Sequence, residues 1–504
     1  MAIQINNFIM YLNNGNYTND FEMFLNYLAD DEKTSTVVKD KDKIIVNDEI
    51  FIIFNESLKN KHFNFSDIVF NKTVTFQGNY ENELEFNFEN TYFEKLNILN
   101  CNVDNIIFSG DINYIKELNI SGCNFTEVTI NSNIQGEIKF QKCNFKDFNK
   151  HNSGKNIKFT ANFVFDFCKV DDIVNLINFD FENKVSFKMS KFTDNVYFNN
   201  SHFKDYADFH ECEFEKTACF YGVKFDKAPN FSQAIFKGNL NAVNANLNFT
   251  FDDLQERIKQ EYEDFNKDIK EKENKKPLDK FANDFRDSFR TFKSALIKDN
   301  NALDASNFHK DELYCKEIEL KNKKGKTFKD VVDRWQLIFY RKLCDHHTDI
   351  LQSLNSLILV IGIFVISSVA MVVGFNYCLG YKPILEHWYF SLDFYNHHIN
   401  SIIQDNYLFV ATVNLAMLFG YLILVGFALC LKYMREFFII ISYVITLLVL
   451  AVSPKILIPA MGIFTDKRAM LDPLSVFGGI YTIIFGFVAF SFIKTIRKNS
   501  IVPS

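Results

Sequence analysis

Three groups of residues carry side chains that could do chemistry. Cys344, Asp345, His346 and His347 are consecutive, and thiolate, carboxylate and imidazole are all metal ligands. Cys101, Cys123, Cys143, Cys168 and Cys212 recur at related spacings, as a column of thiols for a metal or redox centre would. Asn414, Ser442, Thr446 and Thr482 sit inside strongly apolar stretches, where polar groups line a conduction path or bond helix to helix. In each case the structural reading is preferred. Adjacent His side chains diverge on a helix, so 344–347, like His397-His398, reads as a polar surface. The Cys series has no His or carboxylate partner and reads as small buried residues. The four in-span residues read as helix packing or pore lining. No Asp or Glu lies mid-span, which disfavours a proton- or cation-coupled transporter. There is no Thr-Val-Gly-Tyr-Gly filter. There is also no His-Glu-x-x-His pair, phosphate loop or nucleophile motif. No enzymatic activity, cofactor or metal is expected.

The elements that position these residues start from a phenylalanine beat. Phe187, Phe198, Phe209, Phe220 and Phe231 are eleven apart, and Phe192, Phe203, Phe214, Phe225 and Phe236 form a second such series. Two residues before each stands a smaller residue, from Val185 and Ser190 to Pro229 and Ala234. Aligning the small residues reveals a longer register. Leu96, Ile98, Cys101 and Val103 match Leu118, Ile120, Cys123 and Phe125, and further copies follow at steps of 20, 25, 22, 22 and 22. A period this short signals a stacked array. One coil is then about 22 residues with four short sides, each turning one large and one small side chain inward, since strand neighbours alternate faces. Cys101, Cys123, Cys143, Cys168, Ser190, Cys212 and Ala234 share one column. The 25-residue step predicts a small loop near 149–156.

The small-x-large pattern at five-residue spacing, as in Ser201-His202-Phe203, Cys212-Glu213-Phe214 and Ala245-Asn246-Leu247, resembles the pentapeptide-repeat family. The departures are Phe in place of Leu and an alternating six-residue step. The resemblance implies a right-handed four-sided β-helix over 61–251. It is nearly silent on activity. Residues 1–60 are expected to form an N-terminal cap, with helical spacing at Phe21, Phe24, Leu25 and Leu28 and strand material from Ile44 to Phe54.

Residues 252–350 read as a charged α-helical linker in the cytoplasm. Pro277 starts a second helix, Ala302 to Leu320 form a third, and a fourth runs from Phe328 into the membrane. Four apolar stretches follow within a transmembrane domain at 351–498: 354–379, 407–431, 437–458 and 474–493. Arg341-Lys342, Lys432 and Arg435, and Lys494, Arg497 and Lys498 mark cytoplasmic ends, while 381–406 holds one Lys and no Arg. Both termini are therefore expected in the cytoplasm and the protein in the inner membrane. The charged linker resembles that of bacterial pentapeptide-repeat proteins with a C-terminal membrane domain, some of them potassium-channel-like.

No Arg precedes Arg257, and 63–251 holds 24 Asp plus Glu against 18 Lys. Nucleic-acid binding is not expected. The expected partners are the lipid bilayer and an unknown protein docked on the β-helix. The leading reading is thus a membrane-held interaction scaffold. The alternative is a homo-oligomeric ion channel or gated pore with the β-helix as its regulatory or assembly domain. Inhibition of a DNA-handling enzyme by duplex mimicry is the third and weakest reading, disfavoured by the membrane tether.

Overall fold

The computed structural model describes residues 37–40, 43–47, 49–53, 61–66, 68–78, 84–151, 154–267, 275–380, 388–430, 432–452 and 472–499. The expected N-terminal helix lies outside these residues. The chain divides into two compact units between Lys326 and Thr327.

The first unit is a β-solenoid of about eight turns. Its strands stack in parallel, and the register is the one the small residues predict: Leu96 pairs with Leu118, Leu118 with Ile138, Ile138 with Phe163, Phe163 with Val185 and Val185 with Ala207. The strand material near residue 50 joins the array itself. Lys43–Val46 and Ile50–Ile53 both pair with Ile68–Gln77, and Val37–Asp40 folds back antiparallel on the first of them.

Side length changes along the solenoid. As far as Gln141 many strands run eight to ten residues, as in Ile68–Gln77 and Ile112–Ser121. From Lys169 most are two residues long and fall into four ladders, two in each sheet. The long strands turn aliphatic residues (Val74, Ile98, Ile120, Ile138) and Phe (Phe76, Phe93, Phe108, Phe140) inward together, whereas Phe dominates the inward positions of the short ones. At the corners a residue takes a left-handed conformation: Asn100, Gly122, Lys142, Phe167, Met189, Glu211 and Gln233 form one such column. Asn and Gly suit this conformation, whereas each bulkier residue there costs roughly 1 kcal/mol.

The core is filled by side chains. The ten Phe of the sequence pattern divide among four stacks. Phe187, Phe209 and Phe231 lie 5.1 and 4.5 Å apart, and Phe192, Phe214 and Phe236 lie 5.2 and 4.9 Å apart. Phe198 stacks on Phe220 at 5.0 Å and Phe203 on Phe225 at 5.1 Å. Neighbouring stacks meet edge to face, as Phe209 does Phe220 at 5.6 Å. Burial of each such ring is worth roughly 1.5–3 kcal/mol.

A solenoid ends in unpaired edges and an open core, so it needs a lid. Helices from the expected linker form one. α1 (Phe251–Asn266) opens with a capping box in which Asp253 N–H donates to Thr250 Oγ1 and Thr250 N–H donates to the Asp253 carboxylate. α2 (Leu278–Lys298) and α3 (Ala302–Asn322) pack as a hairpin over the last coil. Phe292 of α2 lies 4.6 Å from Phe231 and 5.6 Å from Phe220, extending the stacks into the helices. Ser288 Oγ accepts the Phe231 N–H at 2.9 Å, and Asp304 Oδ2 accepts that of Asn244 at 2.9 Å.

In the second unit α4 (Phe328–Cys344) ends before the apolar segment, so the single helix expected from Phe328 into the membrane is corrected to two. Asp345, His346 and His347 all have positive φ, at 47°, 54° and 67°. This left-handed turn cannot continue a right-handed helix. α5 (Ile350–Cys378) then begins afresh, with the Asp349 side chain accepting Gln352 N–H at 2.8 Å. α6 (Trp388–Asp405), α7 (Tyr407–Cys430), α8 (Lys432–Val452) and α9 (Pro473–Asn499) follow. Among the described residues three helices, α5, α7 and α9, are long and apolar enough to cross a membrane. α8 packs on α5 and α7, and residues 453–458 of the expected third span lie outside the described residues.

Candidate interaction surfaces

The cysteine column proves to be part of the frame. Cys101, Cys123, Cys143, Cys168 and Cys212 are all buried. Each thiol faces a carbonyl of the preceding coil: Cys123 Sγ that of Ile98 at 3.4 Å, Cys168 Sγ that of Phe140 at 3.5 Å and Cys212 Sγ that of Phe187 at 2.8 Å. The same position also accepts a corner amide, as when Cys101 N–H donates to Cys123 Sγ at 3.4 Å. Ser190 fills this slot in its own coil, donating to Phe165 O at 2.6 Å and accepting from Cys168 N–H at 3.0 Å. The slot therefore takes a small side chain, and in every coil but that of Ala234 one that can both donate and accept. Burial raises the thiols of Cys168 and Cys212 above their ordinary range, so they are held as unreactive S–H groups. No metal-binding cluster occurs among the described residues.

The outward positions carry ladders at the same coil spacing. Asn102, Asn124 and Asn144 form a chain of amides, each bond 2.8 Å. Lys191 reaches Glu213 at 3.2 Å and Glu215 at 2.6 Å in the next coil, Lys204 reaches Asp180 at 3.0 Å, and Lys216 reaches Asp194 at 2.6 Å. Exposed pairs of this kind contribute little stability each, but they leave a surface of alternating charge. Among the described residues two apolar pairs interrupt it, beside the single exposed side chains of Ile107, Tyr221 and Ile235. Tyr92 and Tyr114 are exposed partners in one ladder. Phe167, half exposed, and Met189 are successive corner residues in left-handed conformation. At the C-terminal end α1 covers part of one face, with Arg257 3.5 Å above the ring of Tyr206.

In the second unit the four polar in-span candidates fall on three helices. Ser442 and Thr446 of α8 are buried. A side chain in place of Gly362 of α5 would meet the Ser442 hydroxyl at 2.2 Å, so the missing side chain at Gly362 makes room for Ser442 and lets the two helices approach closely there. Asn414 of α7 is buried, and Thr482 Oγ1 of α9 donates to Gly478 O of its own helix at 2.8 Å. Cys344 and His347 do come together, Sγ to Nδ1 at 3.4 Å, but the imidazole turns to Thr495 Oγ1 of α9 at 3.1 Å. Lys498 Nζ donates to His346 O at 3.5 Å, and Arg435 donates to Ser356 Oγ at 3.4 Å. The end of α4, the start of α5, the start of α8 and the end of α9 thus gather at one end of the unit.

Sequence reasoning missed the helical lid and the exposed stripe on α4. Both had a signal. Phe281, Phe285, Phe289, Phe292 and Leu296 recur at helical spacing with no partner in the apolar stretches. Phe328, Val331, Trp335 and Phe339 do the same just before them.

The family model for pentapeptide repeats (9 copies) matches residues 165–213, wholly within the coils of short strands. Comparison with curated proteins and with solved structures gives no match. The register, the filled core and this match agree: residues 165–213 are pentapeptide repeats, and with three apolar helices in its C-terminal region the chain fits a pentapeptide-repeat protein with a membrane domain.

Proposed function

We propose that this protein is a multi-pass membrane protein that presents its solenoid, a right-handed four-sided β-helix, as a rigid docking platform for a protein partner. The filled interior carries this reading. Stacked Phe and the thiol column occupy the inside of the coils, so recognition has only outward groups to use. Those groups stand at fixed intervals on a stiff rod, with the Tyr92/Tyr114 and Phe167/Met189 pairs as its apolar points. Arg341, Lys342, Arg435, Lys494, Arg497 and Lys498 collect at one end of the helical unit, whereas α6 has no Lys or Arg. That asymmetry supports a cytoplasmic position for both termini, with α8 as a fourth span in the inner membrane.

Photo-crosslinking in native membranes tests the platform. A crosslinker at position 114 or 167 is expected to trap one defined protein, while one on the Asn102–Asn144 ladder traps none. Capture that does not differ between these positions would count against a specific face. Steady conductance of the purified protein in a planar bilayer would instead favour a homo-oligomeric channel.

A further inference from the structure

α4 carries an apolar stripe that its own unit leaves uncovered. Phe328, Val331, Val332, Trp335 and Phe339 are all exposed, Phe328 at 84% and Trp335 at 66%. Their spacing places them on one helical face. Lys329 flanks it and Lys342 continues it at its C-terminal end, and over Phe328–Cys344 two Lys and two Arg stand against two Asp. The C-terminal half of this face opens onto a cavity of about 470 Å³. Trp335, Phe339 and Lys342 form one wall. Val425 and Gly426 of α7 and Phe487 of α9 form the others. Every wall residue is apolar except Lys342, and no carboxylate is among them. Phe339 lies 5.7 Å from Phe487, which ties α4 to α9 at the site.

We propose that α4 lies in the membrane interface and that this cavity binds an anionic phospholipid, one acyl chain between α7 and α9 and the headgroup phosphate at Lys342. The groove is continuous with two helices able to cross a membrane, so its natural filling is hydrocarbon. An exposed aromatic and aliphatic stripe with one lysine beside it and another at its end is the pattern of an interfacial helix, with the lysine stems lying along apolar surface and their ammonium groups in the headgroup layer. Lys342, the one cation among the lining residues, selects a negative headgroup. This inference rests on α5, α7 and α9 being membrane-embedded and is independent of the docking platform.

The chain has two Trp, so Trp388→Phe leaves Trp335 as the sole tryptophan, excited selectively at 295 nm or above. Full-length protein would be reconstituted in phosphatidylcholine vesicles containing brominated phosphatidylglycerol or brominated phosphatidylcholine, and Trp335 emission recorded. The expected result is quenching by brominated phosphatidylglycerol at about fivefold lower mole fraction than by its choline counterpart. Lys342→Gln removes this preference. Gly426→Leu projects into the groove and is expected to lower quenching by both lipids; a Cβ there meets no atom within 4 Å. Equal quenching by the two lipids, or a preference unchanged in both variants, overturns the site. Failure of the protein to float with the vesicles overturns the membrane reading itself.

Discussion

At the scale of single residues, one position in each coil does a defined job at the corner of the solenoid. The Cys212 thiol meets Phe187 O at 2.8 Å, and Ser190 makes the equivalent bond one coil earlier. Cys212→Ser is therefore expected to change stability by less than about 1 kcal/mol. Cys212→Val, which keeps the bulk and deletes the polar contact, should cost about 0.5–1.5 kcal/mol, the net worth of one hydrogen bond, since Phe187 O still accepts the Ser190 N–H. Thermal unfolding of the two variants compares them. The thiols of this column should also resist maleimide in the folded protein, while exposed Cys378 reacts. A second residue-scale prediction concerns pH. Burial, then the charges of Lys494 and Lys498, depress the His347 imidazole to about 4. The unfolded chain binds this proton from about 6.5 downward and the folded chain only near 4. The group's contribution is thus fully present above about pH 6.5 and is lost as pH falls toward 4. Hydrogen exchange over 344–352, corrected for intrinsic rate, should show weaker protection at pH 5 than at pH 7; equal protection would contradict it.

At the scale of elements, the lid decides whether the solenoid ends cleanly. Phe292 is buried against Phe231, Phe220 and Phe308. Phe292→Ala should cost about 3–5 kcal/mol and uncover the last coil. Concentration-dependent association in size-exclusion chromatography would report the exposed strand edge. The α2–α3 hairpin has its own pH dependence. Burial raises the Glu312 carboxyl, but hydrogen bonds from His309, Lys293 and Arg290 outweigh it and hold the group at about 2. Its stabilisation is complete above about 4.5 and is lost as pH falls toward 2. Glu312→Gln should flatten the acid limb of the unfolding curve in that window; an unchanged limb would rule out the carboxylate as its source.

At the scale of the whole molecule, the boundary after Lys326 separates two kinds of solubility. The solenoid buries its apolar side chains and shows charge outward, whereas α7 and α9 expose Leu415, Phe419, Phe427, Ile483 and Phe490. A chain ending at Lys326 is expected to remain in the soluble fraction after cell lysis, and the full-length protein to sediment with membranes. Recovery of the shortened chain with membranes would place a lipid-binding element in the first unit.

How much of this was legible depends on what each feature rests on. Periodicity is local: the Phe beat and the small residues two before each beat specify a coil of about 22 residues. The parallel register follows, because a slip of one residue would turn every Phe outward. Length and apolar content likewise mark α5, α7 and α9 without any tertiary information. Three things needed the folded chain. The beat predicts one large residue on each of four sides, but that like rings stack face to face while neighbouring stacks meet edge to face is set by how the coils pack. The Phe stripe of α2 looks like that of any amphipathic helix until the open end of the solenoid supplies what it covers. The break at Asp345–His347 is invisible in residue type, because left-handed backbone at Asp and His is uncommon and is held here by contacts from α9, nearly 150 residues away in the chain.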